Sequence, residues 1–266
     1  MAGFHDRGSG PFDVRMVPHP AITLVVEFGD GPLTVDDAAG RRQRGNLVAG
    51  LAPGAVRASG KNTDCVQVRM SPVVAHAVLG VSPMELEHAV VGLDALWGRD
   101  APRIREQLND ARSWEERFAL MDASLARRCE TARPVDPEVA WAWDRTVASR
   151  GWIRIDELAA EIGWSRKRLW SRFRSQIGLP PKRAAKLVRF DHAVHRLAAG
   201  ERAAHVAARL RRPVSSPSGG CGVRRRHSGD DDRGPVVGGG RHRVDRSRRR
   251  ACAASRLMFA QRTRGS

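Results

Sequence analysis

Hydrophobic residues in the first 82 positions occur in short runs that glycine and proline separate. The runs at 22–28, 46–49 and 64–70 have the length and the β-branched content that are typical of strands. Several short strands of this kind, bounded by turn residues, predict a small β-barrel or sandwich. We therefore expect residues 1–82 to be built mainly from β-structure.

The hydrophobic period changes at Ser82. Ser82 and Glu85 have the spacing of a capping box, and Pro83 occupies the first helical position. This pattern predicts a helix whose apolar face comprises Leu86, Val90, Leu93 and Trp97. Two further helices are predicted, one opening before Ile104 and one capped by Ser113 with the apolar stripe Phe118, Met121 and Leu125. These helices either cover the β-structure or pair with a second copy of the chain.

A short linker is predicted at residues 131–136, where Pro134 interrupts the helical pattern. Asp136 and Pro137 then supply an N-cap and a proline at the first helical position for another helix. That helix presents Val139, Trp143 and Val147 on one face. The predicted organisation is a domain at 1–130 (β-barrel 1–82, helices 83–130), a domain at 135–208 and a tail at 209–266.

Residues 155–178 read IDELAAEIGWSRKRLWSRFRSQIG. Ala159, Gly163 and Leu169 have the spacing of a helix-turn-helix, with a small residue at the crossing, a glycine in the tight turn and a leucine in the core. Ser165 provides an N-cap for the second helix. On that helix Leu169, Phe173 and Ile177 recur every four residues, so we expect them to face inward.

The opposite face of the second helix is basic and comprises Arg166, Lys167, Trp170, Ser171 and Arg174. A recognition helix reads base edges in the major groove with side chains near its N-terminus, while flanking cations bind phosphates. An exposed tryptophan among arginines suits apolar contact with thymine methyl groups. The alternative is an ordinary helix with a solvated basic face. The pattern favours double-stranded DNA as a partner.

The same stretch resembles the AraC/XylS family of bacterial transcriptional regulators. The first helix-turn-helix of that family runs I-x-x-L-A-x-x-x-G-x-S-x-x-x-L-x-x-x-F-x-x-x-x-G-x-x-P. This chain matches every fixed position, with Ile155, Leu158, Ala159, Gly163, Ser165, Leu169, Phe173, Gly178 and Pro181. One departure is Arg154, which stands where the family has a capping Ser or Thr, so that helix start is expected to be about 1 kcal/mol less stable.

The resemblance implies an α+β protein with a cupin-like β-barrel and covering helices, followed by an all-α helix-turn-helix domain. It implies a connecting helix at 182–199, whose buried stripe would be Leu187, Phe190, Val194 and Leu197. The base-contacting set that it implies is Lys167, Trp170 and Ser171, with Arg166 as a neighbour. The phosphate-contacting set would be Arg168, Arg172, Arg174 and Lys182, and the motif core Leu158, Ala159, Gly163, Leu169 and Phe173. A small-molecule effector and a homodimer are also implied.

The formal net charge of +17 favours a polyanionic partner, but the charge is unevenly placed. Residues 209–266 contain 16 Arg and 4 Asp without Lys or Glu, a net charge of +12, so the preceding 208 residues carry only +5. The tail lacks a hydrophobic period and is rich in Arg, Gly, Pro and Ser. Such a composition predicts an unstructured segment.

The resemblance implies a second helix-turn-helix, whose start matches residues 201–208, and the match then breaks off. One set of synonymous codons for residues 210–220, read one base later, gives YADQSHLHRE, and the same shift beyond Cys221 permits VAAFAGVTPAT. Both strings resemble the second recognition helix of the family and the turn after it. We therefore interpret the tail as the product of a frameshift near Arg209. The alternative is a genuine Arg-rich arm, and in either case DNA binding without sequence preference is a competing outcome.

An enzyme or a cupin-type small-molecule-binding protein is the competing functional class. His5, His19, His76 and His88 do not have metal-ligand spacing, and common hydrolase and nucleotide-binding motifs are absent, so we expect no catalytic residue, metal or cofactor. The four cysteines lie far apart, which favours a reduced, cytoplasmic protein. The longest apolar run is too short to span a bilayer, so no membrane role is expected. A barrel lined by Val, Leu and Phe would suit a small, partly apolar effector.

Overall fold

The computed structural model describes residues 1–6, 10–37, 39–51, 54–87, 89–131, 134–204 and 206. Within these ranges the chain forms nine strands, eight α-helices and one 3₁₀ helix. The strands are β1 (Ala2–His5), β2 (Phe12–Met16), β3 (Ile22–Glu27), β4 (Thr34–Asp36), β5 (Arg42–Arg44), β6 (Leu47–Ala49), β7 (Val56–Gly60), β8 (Asp64–Met70) and β9 (Val90–Gly92). The three strands predicted at 22–28, 46–49 and 64–70 are confirmed as β3, β6 and β8.

The strands form two antiparallel sheets rather than a closed barrel. One sheet has the order β1-β8-β3-β6-β9 and the other the order β2-β7-β4-β5. Among the described residues, no ladder joins an edge strand of one sheet to an edge strand of the other, so the prediction of a barrel is wrong while the α+β class is confirmed. The central strands β3 and β8 of the five-stranded sheet are almost entirely buried, so this sheet has a core on each side without closing on itself.

Strand β3 shows how the two cores are divided, because all six of its residues are buried. Val25 packs with Val35 and Ala58 in the cluster between the sheets. Leu24 and Val26 belong instead to the larger cluster, which includes the helices. Successive side chains of a strand point to opposite faces, so this one strand contributes to both layers.

The helices are α1 (Pro72–Leu79), α2 (Leu93–Trp97), α3 (Asp100–Asp110), α4 (Trp114–Thr131), α5 (Pro137–Ala148), α6 (Ile155–Glu161), α7 (Arg166–Ile177) and α8 (Pro181–Ala198). Helix α1 lies in the region expected to be β-structure and was not predicted. The helices expected around Ile104 and after Ser113 are confirmed as α3 and α4. Ser113 caps α4 as expected, since its Oγ accepts a hydrogen bond from Glu116 N at 3.1 Å.

The helix predicted from the Ser82 capping box is largely wrong. The capping box is present, but it starts only the short 3₁₀ helix Pro83–Leu86. Val90 and Val91 then pair with Ala49 and Val48 in strand β9, and α2 begins only at Leu93. The open edge of β6 offers backbone hydrogen bonds to these β-branched residues, and this tertiary pairing prevails over the helical spacing.

The predicted buried stripe of α8 is also partly wrong. Leu187 is buried, whereas Phe190 and Leu197 are exposed and Val194 is half-buried. Helix α8 contacts α5 and α7. Its other buried side chains are Pro181, Ala184, Ala185, Val188 and Ala193. The buried face of α8 is thus rotated from the predicted stripe, and Phe190 and Leu197 lie outside it.

Buried side chains before and after residues 131–136 belong to one hydrophobic cluster, which runs from Ile22 to Val188. The division into domains at 1–130 and 135–208 therefore stays a prediction. The unstructured tail and the frameshift near Arg209 lie outside the described residues. Of the expected start of the second helix-turn-helix at 201–208, residues 201–204 and 206 are described, and its continuation lies outside the described residues.

Candidate nucleic-acid interface

Helices α6 and α7 meet in a tight turn that Gly163 makes. Gly163 has a φ of +68°, a left-handed conformation that side chains other than glycine adopt at a cost. Trp164 N donates to Ala159 O at 2.9 Å across this turn. Ser165 then caps α7, because its Oγ accepts a hydrogen bond from Arg168 N at 3.2 Å. The turn and cap fix the direction in which α7 leaves α6.

One face of α7 is locked into the core. Leu169, Phe173 and Ile177 are fully buried, and the Phe173 ring lies 6.5 Å from the Trp143 ring of α5. On α6 the buried residues are Leu158 and Ala159. Four of the motif-core residues named from the sequence, Leu158, Ala159, Leu169 and Phe173, thus lie at the crossing of α5, α6 and α7, whereas Gly163 is exposed in the turn. This burial leaves α7 little freedom to rotate about its axis.

The other face of α7 is open. Arg166, Lys167, Arg168, Trp170, Ser171 and Arg172 are all exposed. The Trp170 side chain is 48% exposed, which is unusual for so large an apolar ring. The exposed residues are concentrated in the N-terminal half of the helix. The structure therefore brings the four predicted base-contacting residues together on one accessible surface.

Several arginines near this surface already have acidic partners. Arg166 Nη1 lies 3.0 Å from Asp156 Oδ1, and Arg172 Nη2 lies 2.8 Å from Asp136 Oδ2. Both pairs are largely exposed and are worth little in solution, so a phosphate can compete for either arginine. Neither partner could be predicted from helical spacing, because Asp156 lies ten residues before Arg166 on α6 and Asp136 lies 36 residues before Arg172.

Arg174 is placed differently from the other predicted phosphate contacts. Its guanidinium donates from Nη2 to Glu87 Oε2 at 3.2 Å and is 37% exposed. Arg168 instead stacks over the Trp164 ring at 4.4 Å. Within the part of the chain that the structure describes, Lys167, Arg168 and Lys182 form no ion pair. These three cations are therefore the ones most available to a polyanion.

The described histidines and cysteines lie apart from the α7 surface and do not cluster. Among the described residues, no group of three or more His, Cys, Asp and Glu side chains is arranged to hold a metal ion. Burial lowers the pKa of His19 to about 4, and the positive charge of Arg69 adds to this effect. Burial raises the pKa of the Cys65 thiol to about 12, so it stays protonated and unreactive.

A cavity of about 330 Å³ lies beside α1, between its C-terminal end and α4. Its lining combines apolar side chains with His76, Ser82, Arg128 and Thr131. An effector was expected inside a barrel, but the space between the two sheets holds the packed cluster around Val25 and Val35. None of the described helices combines the length and the apolar character that crossing a membrane requires.

Comparison with known proteins gives distant structural similarity alone. No family model and no curated protein matches this chain. Among solved structures, the AraC-like transcriptional activator CuxR is 13% identical over 71% of this chain and 73% of its own, with a TM-score of 0.31. ToxT from Vibrio cholerae O395 is 10% identical over 78% of this chain and 85% of its own, with a TM-score of 0.40. At these values the similarity carries no functional conclusion, and the proposal below rests on this chain's own residues.

Proposed function

We propose that this protein is a non-enzymatic, sequence-specific DNA-binding transcriptional regulator that reads the major groove with α7. One observation carries the proposal: a helix locked on one side by fully buried Leu169 and Phe173 exposes Arg166, Lys167, Trp170 and Ser171 on the other. The major groove of B-DNA admits a helix of this diameter. A rigid helix with an accessible N-terminal half is the geometry that base reading needs.

Each exposed residue has a use in a groove. Arg166 and Lys167 donate to the acceptors on guanine, the Ser171 hydroxyl donates or accepts, and the Trp170 ring packs on a thymine methyl. Arg168 and Lys182 are free of ion pairs among the described residues and would bind phosphates, as would Arg172 after release from Asp136. Helix α7 contains five basic residues and no acidic one, so its surface attracts a polyanion.

The test starts from a pool of random duplexes, from which the purified full-length chain selects a preferred site. We expect tighter binding to that site than to scrambled DNA, and an affinity that falls steeply as salt rises. Lys167→Ala and Trp170→Ala should reduce the ratio between the two affinities, whereas Arg168→Ala should weaken both alike. Failure to enrich any sequence would contradict the proposal and would favour DNA binding without sequence preference through the basic tail.

Matched control variants come from the same part of the chain. Lys186 lies on α8 and Trp141 on α5, and both are exposed but lie outside the α7 surface. Lys186→Ala and Trp141→Ala therefore remove the same side chains without touching the proposed interface. Both should keep the parent's affinity ratio. Equal losses in the controls and in the α7 variants would show that the effect is not specific to α7.

We further propose that the cavity beside α1 binds a small effector. Helix α1 contacts α7, and Ser82 at the edge of the cavity donates from Oγ to Ser175 O of α7 at 2.6 Å. A ligand seated there would contact Ser82 and α1, and both of these contact the recognition helix. Screening small carboxylic acids for a rise in melting temperature tests this, with Ala77→Trp as the variant that fills the cavity, because Ala77 lines it and is only half-buried. A ligand whose effect survives Ala77→Trp binds elsewhere.

A further inference from the structure

Glu87 connects the segment before α2 to both α7 and α8. Its carboxylate accepts hydrogen bonds from Arg174 Nη2 at 3.2 Å and from Arg183 Nη1 at 3.3 Å. The Glu87 side chain is only 13% exposed, while both arginines are more accessible. A carboxylate that is largely screened from water binds a guanidinium more firmly than a surface carboxylate does. Glu87 is therefore able to hold Arg174 in one orientation.

Arg174 in turn contacts Trp170. The two residues are four positions apart on α7, and the Arg174 guanidinium carbon lies 5.3 Å from the centre of the Trp170 ring. A cation over an indole face is attracted by the ring's quadrupole. The attraction is weak when the arginine is free to rotate, because holding the guanidinium over the ring costs rotamer entropy. Because Glu87 already fixes the guanidinium in the folded protein, this rotamer entropy is lost on folding and no longer opposes the contact with Trp170.

The backbone around Glu87 is tied to α7 independently of these side chains. Ser82 Oγ donates to Ser175 O, and the Pro83 backbone packs against Gly178 so closely that a Cβ at Gly178 would lie 2.6 Å from Pro83 O. Gly178 also has a φ of +93°, which favours glycine. These contacts fix the 3₁₀ helix Pro83–Leu86 against α7. The Glu87 carboxylate therefore starts from a defined position relative to Arg174.

We propose that Glu87 is a positioning residue for DNA reading: through Arg174 it holds the Trp170 ring in the orientation that contacts a base. This inference rests on the proposed function and deepens it. It also gives Arg174 a different role from that of a phosphate contact. Arg174, predicted to contact a DNA phosphate, instead contributes to discrimination between DNA sequences. Its guanidinium is engaged by Glu87 on one side and by the Trp170 ring on the other.

The first test needs no DNA. The chain contains seven tryptophans, which can be labelled with 5-fluorotryptophan and observed by fluorine NMR, and Trp170→Phe assigns the resonance of interest. Glu87→Gln, which keeps the shape of the side chain but removes its charge, should shift or broaden the Trp170 resonance and leave that of Trp141 in place. An unchanged Trp170 resonance would overturn the inference whatever the protein does with DNA.

The second test measures the ratio of affinities for the selected site and for scrambled DNA, well below the melting temperature. Glu87→Gln should lower this ratio about three- to fivefold, part of what a lost base contact costs. The loss should vanish when Arg174→Gln is already present, because Glu87 then keeps only Arg183, which lies on α8, and has lost the arginine that contacts Trp170. Glu161→Gln is the matched control, since it removes a carboxylate that pairs with Arg145 at 3.3 Å.

The outcomes separate the two proposals. A parent protein that discriminates, combined with a Glu87→Gln variant that discriminates equally well, overturns the positioning role and leaves the proposed function standing. An additive loss in the double variant also overturns it, because Glu87 would then act without Arg174. A parent that does not discriminate refutes the proposed function, and the specificity role of Glu87 is refuted with it. A lower melting temperature alone, with the ratio and the Trp170 resonance unchanged, assigns Glu87 a purely structural role.

Discussion

Phe173 and Trp170 lie three positions apart on α7. Truncation of Phe173 should mainly lower the stability of the protein, whereas truncation of Trp170 should mainly lower DNA discrimination. Phe173 is fully buried against Trp143, whereas Trp170 is 48% exposed and touches Arg174. Phe173→Ala removes a buried ring from a packed crossing of helices, which costs about 3–5 kcal/mol of unfolding free energy. Trp170→Ala forfeits little more than the contact with Arg174, about 0.5–1 kcal/mol at an exposed site.

DNA binding should show the reverse order. Trp170→Ala should lose about 1–3 kcal/mol of discrimination at one base pair, which corresponds to about 5- to 150-fold in the affinity ratio. The milder variant Phe173→Leu, which keeps an apolar side chain in the core, should remain folded and keep most of the parent's ratio. Of these two variants, only Trp170→Ala alters the base-reading face of α7.

Urea unfolding followed by circular dichroism measures the stability of each variant, and titration with the selected and scrambled duplexes measures discrimination. A Trp170→Ala variant as unstable as Phe173→Ala would refute the assigned orientation of α7. Full discrimination by Trp170→Ala would refute the assignment of Trp170 to the groove.

Three further predictions concern the helix start, a buried histidine and the tail. Arg154→Ser should raise the unfolding free energy by about 0.5–1 kcal/mol, because Arg154 makes no capping hydrogen bond at the start of α6; an unchanged or lower urea midpoint would contradict this. The pKa of His19 is lowered from 6.5 to about 4, so between these pH values the unfolded chain binds a proton that the folded chain does not. The unfolding free energy should therefore decrease as the pH is lowered from 6.5 to 4, by at most about 3 kcal/mol. His19→Gln should flatten this dependence in urea titrations, and an unaltered slope counts against it. Resequencing the gene should reveal a slip near Arg209, and an intact frame that encodes residues 209–266 would remove the frameshift hypothesis.

Local patterns were sufficient for the helix-turn-helix. The turn at Gly163, the cap at Ser165 and the inward residues Leu169 and Phe173 depend on backbone geometry and on a four-residue period, and both act within one or two turns of helix. The missing cap at Arg154 was predictable for the same reason. The accessible face of α7 followed from the same period, since burying one side of a helix exposes the other.

Tertiary structure decided the features that depend on partners distant in the sequence. Val90 has helical spacing with Leu86 and Leu93, yet it forms β9 together with Val91 because both pair with the edge of β6. The predicted barrel is instead two sheets, because helices cover the second face of the larger sheet. The residues next to each strand in the sequence do not indicate which distant strand or helix will pack against it.

The chain by itself thus determined that α7 exists, which side of it is apolar and which side is basic. Only the folded structure decided which of its arginines are engaged: Asp156, Asp136 and Glu87 reach α7 from three other segments, and Glu87 is 87 residues away from Arg174. The physical reason is range. Helical periodicity and capping act between near neighbours along the chain, whereas an ion pair forms wherever folding brings two charges within a few ångströms.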